Sequence, residues 1–128
     1  MAKYENLPIF KAATQFVLSM EREVLKMKKN NRYGLGEDLR KRASLLLSFV
    51  IRASFQAEKA NLLLGLRMHI EEEKQFIQIA KDLGALSSFG AYQELMLKLE
   101  EIAKQNEGWL KSQKKKSSKP EFTQDANV

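Results

Sequence analysis

The chain has no cysteine and only one histidine, His69. The first absence excludes a disulfide framework, a thiolate metal site and a thiol nucleophile, and it fits a reducing compartment. The second removes the parts of most histidine-dependent chemistry. Di-iron bundles hold their metals with inward glutamates plus Glu-x-x-His from two helices, whereas the residue three before His69 is Leu66. The neighbouring Glu71, Glu72 and Glu73 are therefore expected on a solvated helical face, in pairs such as Glu71 with Lys74. Serines are present, but none lies in a strand-to-helix nucleophile elbow, and one histidine supports no recognisable triad. These gaps predict a protein without enzyme activity, metal or cofactor.

Long apolar runs are missing too. The opening MAKYENLPIF has no apolar signal-peptide core, and the most apolar stretch, Leu45 to Ile51, is short and broken by Ser48. Neither a leader nor a membrane span is expected, and the expected location is cytoplasmic. No segment alternates apolar and polar residues between turns, so no strand is expected.

What the chain does have is helical periodicity. Its 128 residues, 44% hydrophobic and 30% charged, suit one compact domain. Phe10, Ala13, Val17, Met20, Val24 and Met27 form one apolar stripe, with Pro8 suited to the first turn. Leu39, Ala43, Leu46, Val50, Ala53 and Ala57 form a second, widened by Leu45 and Phe49. Leu62, Leu66, Ile70, Ile77, Ala80 and Leu83 mark a third helix stopped by Gly84. Tyr92, Leu95, Leu99, Ile102 and Trp109 mark a fourth, capped by Ser87 or Ser88. The class predicted is all-α, an antiparallel up-down-up-down four-helix bundle over residues 1–112. Between the second and third helices SFQAEKANLLL has no glycine or proline, so a tight turn near Gln56 to Asn61 and one long bent helix are both compatible. Residues 113–128, rich in lysine and serine, read as a basic disordered tail.

The segment NRYGLGEDLRKR joins the first two helices. Its glycine pair lacks the third glycine of a dinucleotide fingerprint, which would fall at Leu39, and the Gly-Lys-Ser/Thr of a P-loop. A helix connection fits better: Gly34 at positive φ where the first helix ends, and Gly36 easing entry into the second. Glu37 and Asp38 then complement the dipole of the new helix.

Charge is the other strong signal. A net charge of +6 and a pI near 9.6 favour anionic partners such as nucleic acid. Residues 3–32 hold seven cations against three acids, while residues 89–110 hold two against four. An antiparallel hairpin brings Arg22, Lys26, Lys28, Lys29 and Arg32, ending the first helix, beside Arg40, Lys41 and Arg42, starting the second. Such a surface neutralises phosphates, with affinity falling as salt rises. The competing reading is ordinary surface charge, offset by Glu21, Glu23, Glu37 and Asp38. Lys114, Lys115 and Lys116 either add nonspecific contacts or solubilise the chain. Leu45, Leu46, Leu47, Phe49, Val50 and Ile51 exceed what a monomeric bundle covers, which predicts self-association. Asn106, on the stripe between Ile102 and Trp109, either fixes register or faces a wet edge.

Tyr33-Gly34-Leu35-Gly36-Glu37-Asp38-Leu39, then Ile51-Arg52-Ala53, Ala80-Lys81-Asp82-Leu83 and Gly108-Trp109 together resemble one four-helix-bundle family. It includes the accessory variability determinant (Avd) of diversity-generating retroelements and the proteins encoded by intervening sequences in bacterial 23S ribosomal RNA genes. The similarity spans Leu7 to Lys111. The resemblance implies a homopentamer and, in the retroelement branch, a non-enzymatic partner that binds the reverse transcriptase and template RNA during mutagenic cDNA synthesis, with DNA as a second candidate ligand. Arg52 would join the other eight cations in touching phosphates or the reverse transcriptase, or would pair at a subunit interface. This chain has Gln78 where the family pattern has an arginine, leaving Lys74, one turn away, and Lys81 as the cations of the third helix. The alternatives are the intervening-sequence branch, or a structural protein-interaction bundle without RNA binding.

Overall fold

The computed structural model describes the backbone of residues 4–125 and the side chains of residues 4–114. After a short 3-10 turn, Tyr4–Asn6, come four long helices: α1 (Pro8–Leu25), α2 (Glu37–Ser54), α3 (Ala60–Asp82) and α4 (Phe89–Asp125). Each packs on the next, and α4 returns to α1, which makes the all-α, up-down-up-down bundle the periodicity predicts. Among the described residues there is no strand, and no helix is long and apolar enough to cross a membrane.

The helix ends follow local chemistry. Pro8 opens α1, where its missing N–H costs nothing. Ser88 caps α4, its Oγ accepting from the Ala91 N–H at 3.0 Å. Gly84, at a φ of 70°, ends α3 in a Schellman motif: Ala85 N–H donates to the Ala80 carbonyl at 2.9 Å and Gly84 N–H to Lys81 at 3.0 Å. Between α2 and α3 the chain turns through residues 55–59, so the tight turn holds and the bent helix does not. Phe55 and Gln56 donate back to the Arg52 and Ala53 carbonyls, satisfying the end of α2 without glycine or proline. Ala57 falls beyond that end and is exposed.

The first connection departs from expectation. Gly34 does not adopt a positive φ; among the described glycines only Gly84 does. The chain reverses earlier, over residues 26–28, where Lys28 is extended at φ −64° and ψ 152°. It then re-enters helical geometry at Lys29–Asn31 and runs through a wide π-helical turn, Arg32–Gly36, directly into α2. Gly36 serves packing here. It is buried, and a Cβ at that position would lie 2.9 Å from Val24 Cγ1 and 3.2 Å from Met27 Sδ. The missing side chain lets the start of α2 rest on the end of α1.

The buried face of α1 is rotated slightly from the predicted stripe: Ile9 and Phe16 enter the core, while Phe10 and Val17 are half-buried. On α3 the core positions are Leu63, Leu66, Ile70, Glu73, Ile77 and Ala80. Glu73 is therefore not on a solvated face; the helical register carries it inward at 0% exposure, and only Glu71 and Glu72 remain exposed. Asn106 is also fully buried and its Nδ2 donates to the Leu63 carbonyl at 3.0 Å, tying α4 to α3. The apolar surplus of α2 is largely covered within the chain: Leu45, Leu47, Phe49 and Ile51 are half-buried. Phe49 lies against Gly65, where a Cβ would sit 2.9 Å from its ring.

α4 continues past residue 112, where the bundle was expected to end. What stops nearby is the packing, because Leu110 is the last buried residue among those described. The expectations for Lys115, Lys116 and the rest of the tail's side chains lie outside the described residues.

Candidate nucleic-acid interface

The two cationic helix ends do meet. Arg40 Nε lies 2.8 Å from Glu21 on α1, and its Nη1 lies 3.1 Å from Glu37 on α2. The Glu21 hydrogen bond and charge raise the Arg40 pKa above the usual guanidinium value. That same pairing withdraws Arg40 from the free surface.

Four more of the ten predicted residues are also engaged or elsewhere. Arg32 donates to the Leu25 and Met27 carbonyls at 3.2 and 3.1 Å, capping the end of α1. Arg42 pairs with Glu72 at 3.0 Å and covers the Phe76 ring at 4.0 Å from its centroid. His69 Nδ1 reaches the same carboxylate at 3.3 Å. Lys74 pairs with Glu71 at 3.1 Å. Arg52 stands in the last turn of α2, roughly 18 Å along the helix from Arg40 at 1.5 Å per residue, with its guanidinium 5.8 Å from the Phe49 ring. It belongs to the opposite end of the bundle.

Arg22, Lys26, Lys28, Lys29 and Lys41 remain, all exposed around the α1–α2 connection. Lys26 only grazes a carboxylate, 4.0 Å from Glu23. The other four enter no ion pair among the described residues. Lys41 projects away from the core because the buried stripe of α2 runs through Leu39, Ala43 and Leu46. Of the acids that would offset these cations, Glu21 and Glu37 are held by Arg40, and Glu23 is turned inward onto Ser87. Asp38 stays exposed. Arg22 and Lys26 border a small concavity against α4 that also holds Glu94, whereas Lys41 borders a shallower one on the α3 side with Asp38 and Glu72. The exposed cations outnumber the unpaired acids at this end, which suits phosphates. Among the described residues no three His, Asp or Glu side chains converge as metal ligands.

One residue at this end escaped the charge-based reading. Tyr33 sits inside the π-helical turn and is 65% exposed. Its signal in the sequence is an aromatic placed between Lys28, Lys29 and Arg32 on one side and Arg40 on the other. In comparison with known proteins, no family model and no curated protein matches the chain.

Proposed function

We propose that the protein is a non-enzymatic, nucleic-acid-binding accessory protein whose phosphate contacts come from Arg22, Lys26, Lys28, Lys29 and Lys41. The observation that carries this reading is the placement of five exposed cations at one end of the bundle, with Glu21, Glu37 and Glu23 occupied by other partners. The motif resemblance extends it to an Avd-like role: a cytoplasmic homopentamer that binds template RNA and assists a reverse transcriptase in mutagenic cDNA synthesis. The intervening-sequence branch of the same family is the alternative placement. A reverse transcriptase gene and a template/variable repeat pair beside the coding gene support the first, and a location inside a 23S rRNA gene supports the second.

Binding to structured RNA across a salt series tests the phosphate contacts. Log affinity falls with log salt by roughly 0.7 to 0.9 per phosphate engaged, so five contacts give a slope of about −3.5 to −4.5. Charge reversal at Lys28 and Lys29 should make that slope shallower. Absent or salt-independent binding at low salt rejects the reading.

A second reading, a bundle that binds only protein, is favoured by one observation. Leu64, Met68 and Ile79 on α3 are 45%, 59% and 45% exposed and lie opposite its core stripe. This reading predicts that the Lys28 and Lys29 reversals leave RNA retention untouched. Light scattering measures the oligomer number independently.

A further inference from the structure

The three tyrosines of the chain are treated differently by the fold. Tyr4 packs edge-on against Phe10 at 5.2 Å and against Phe55 at 5.5 Å. Tyr92 packs on Phe89 at 5.5 Å, lies beneath the Lys81 ammonium at 4.8 Å and donates its hydroxyl to Gln78 at 3.1 Å. Tyr33 has no aromatic neighbour, no cation over its ring and no side-chain hydrogen bond among the described residues, and it is 65% exposed.

Its position is not that of a loose loop. The turn that carries it is hydrogen-bonded from its start, with Asn31 and Arg32 N–H both donating to the Lys28 carbonyl at 3.0 and 2.9 Å. The Arg32 side chain fastens the turn to the Leu25 and Met27 carbonyls. Lys29 stands four residues before Tyr33, about one helical turn away, and Lys28 is the extended residue that leads into that turn. Gly34, next in the chain, is exposed as well and has nothing within 4 Å of where its side chain would begin, so no other side chain crowds this part of the turn.

Resting on the phosphate-binding reading above, we propose that Tyr33 is a stacking platform for an unpaired base, and that the ligand is therefore a single-stranded nucleic acid segment whose phosphates lie on Lys28 and Lys29. The hydrogen-bonded turn fixes where the ring is presented, and a tyrosine has only two side-chain torsions to lose when a base covers it. Cations that track a backbone, interleaved with a ring that takes a base, are the two components of single-strand recognition. A duplex keeps its bases stacked on each other and offers the ring nothing. It would engage the lysines alone. Base and phosphate are common to RNA and DNA, so the chemistry names the strand's state and leaves the sugar to experiment.

The test compares four probes of matched length: an oligouridylate RNA, an oligothymidylate DNA, an abasic strand of the same charge, and a duplex. Wild-type protein is expected to bind the two base-bearing strands more tightly than the abasic strand. Tyr33→Leu should weaken base-bearing strands by roughly 5- to 100-fold while leaving the abasic strand, the duplex and the salt slope unchanged. Tyr33→Phe should restore the preference. Tyr33-dependent binding confined to one of the two sugars identifies the strand as RNA or DNA and supports the proposal. Lys28→Glu with Lys29→Glu should weaken all four probes and flatten the slope. If Tyr33→Leu binds base-bearing strands as wild type does, or loses the abasic strand equally, stacking is overturned while the phosphate contacts stand. If wild type binds none of the probes at low salt, both readings fall.

Discussion

Glu23, near the end of α1, accepts hydrogen bonds from both the backbone N–H and the hydroxyl of Ser87 in the loop before α4, the latter at 3.0 Å. Glu23 is only 5% exposed. Two consequences follow from one contact: the loop is fastened to α1, and an acid that the sequence places among the cations is occupied internally.

Removing that carboxylate separates the two roles. Glu23→Ala leaves the Ser87 donors without their acceptor and is expected to lower unfolding free energy by about 1.5–3 kcal/mol, the range for hydrogen bonds to a charged group. Glu23→Gln keeps an acceptor and should lose less. Urea unfolding of the purified variants reads both effects. A wild-type midpoint for the alanine variant would mean that the loop is held by other contacts.

The glycines of the first connection make opposite predictions. Gly34 has no positive φ and nothing within 4 Å of a built Cβ, so Gly34→Ala should stabilise by about 0.4–1 kcal/mol through lower unfolded-state entropy. Gly36 has a helical φ of −60°, but its Cβ would crowd Val24 Cγ1 at 2.9 Å and the Asn31 carbonyl at 3.3 Å. Gly36→Ala should cost about 1–3 kcal/mol from overpacking at the helix junction. Thermal melts of the two variants moving in the same direction would contradict this assignment of roles.

Much of the bundle was legible because helical period and end signals act locally. The α2 stripe from Leu39 to Ala53, the Gly84 stop and the Ser88 cap each depend on residues within a turn or two. What was hidden depends on neighbours distant in sequence. Glu73 lies on the α3 core stripe, yet its identity argues for solvent, and only register decides. Phe49 looks surplus until Gly65, sixteen residues later, provides room for it. The candidate site behaved likewise: the cation cluster and the local Glu71–Lys74 pair were readable from residue order, whereas the loss of Arg40 and Arg42 to Glu21 and Glu72 on other helices was set by packing and side-chain reach. The exposure of Tyr33 is set by the π-helical turn that carries it, a geometry that the sequence around Arg32 and Gly34 does not announce.

Glu73 also gives the fold a pH dependence. It is fully buried, and neither carboxyl oxygen has a hydrogen-bond partner among the described residues. Burial pushes its pKa up to about 8, with the Arg42 charge acting weakly in the opposite sense. The group is therefore protonated in the native protein at neutral pH, while an unfolded glutamate has ionised above about 4.3. Between those values the native state binds the extra proton, so its contribution to stability is complete at low pH and is lost as pH rises through about 8. The loss is at most about 1.4 kcal/mol per pH unit. Glu73→Gln cannot titrate and should show a flatter profile over this window, with its advantage over wild type largest near the alkaline end. Glu73→Met, which also removes the unpaired polar atoms, should be flat and at least as stable. Urea unfolding at several pH values between about 5 and 8 reads the three curves, and parallel curves for wild type and Glu73→Gln would show that the native carboxyl has a compensating partner.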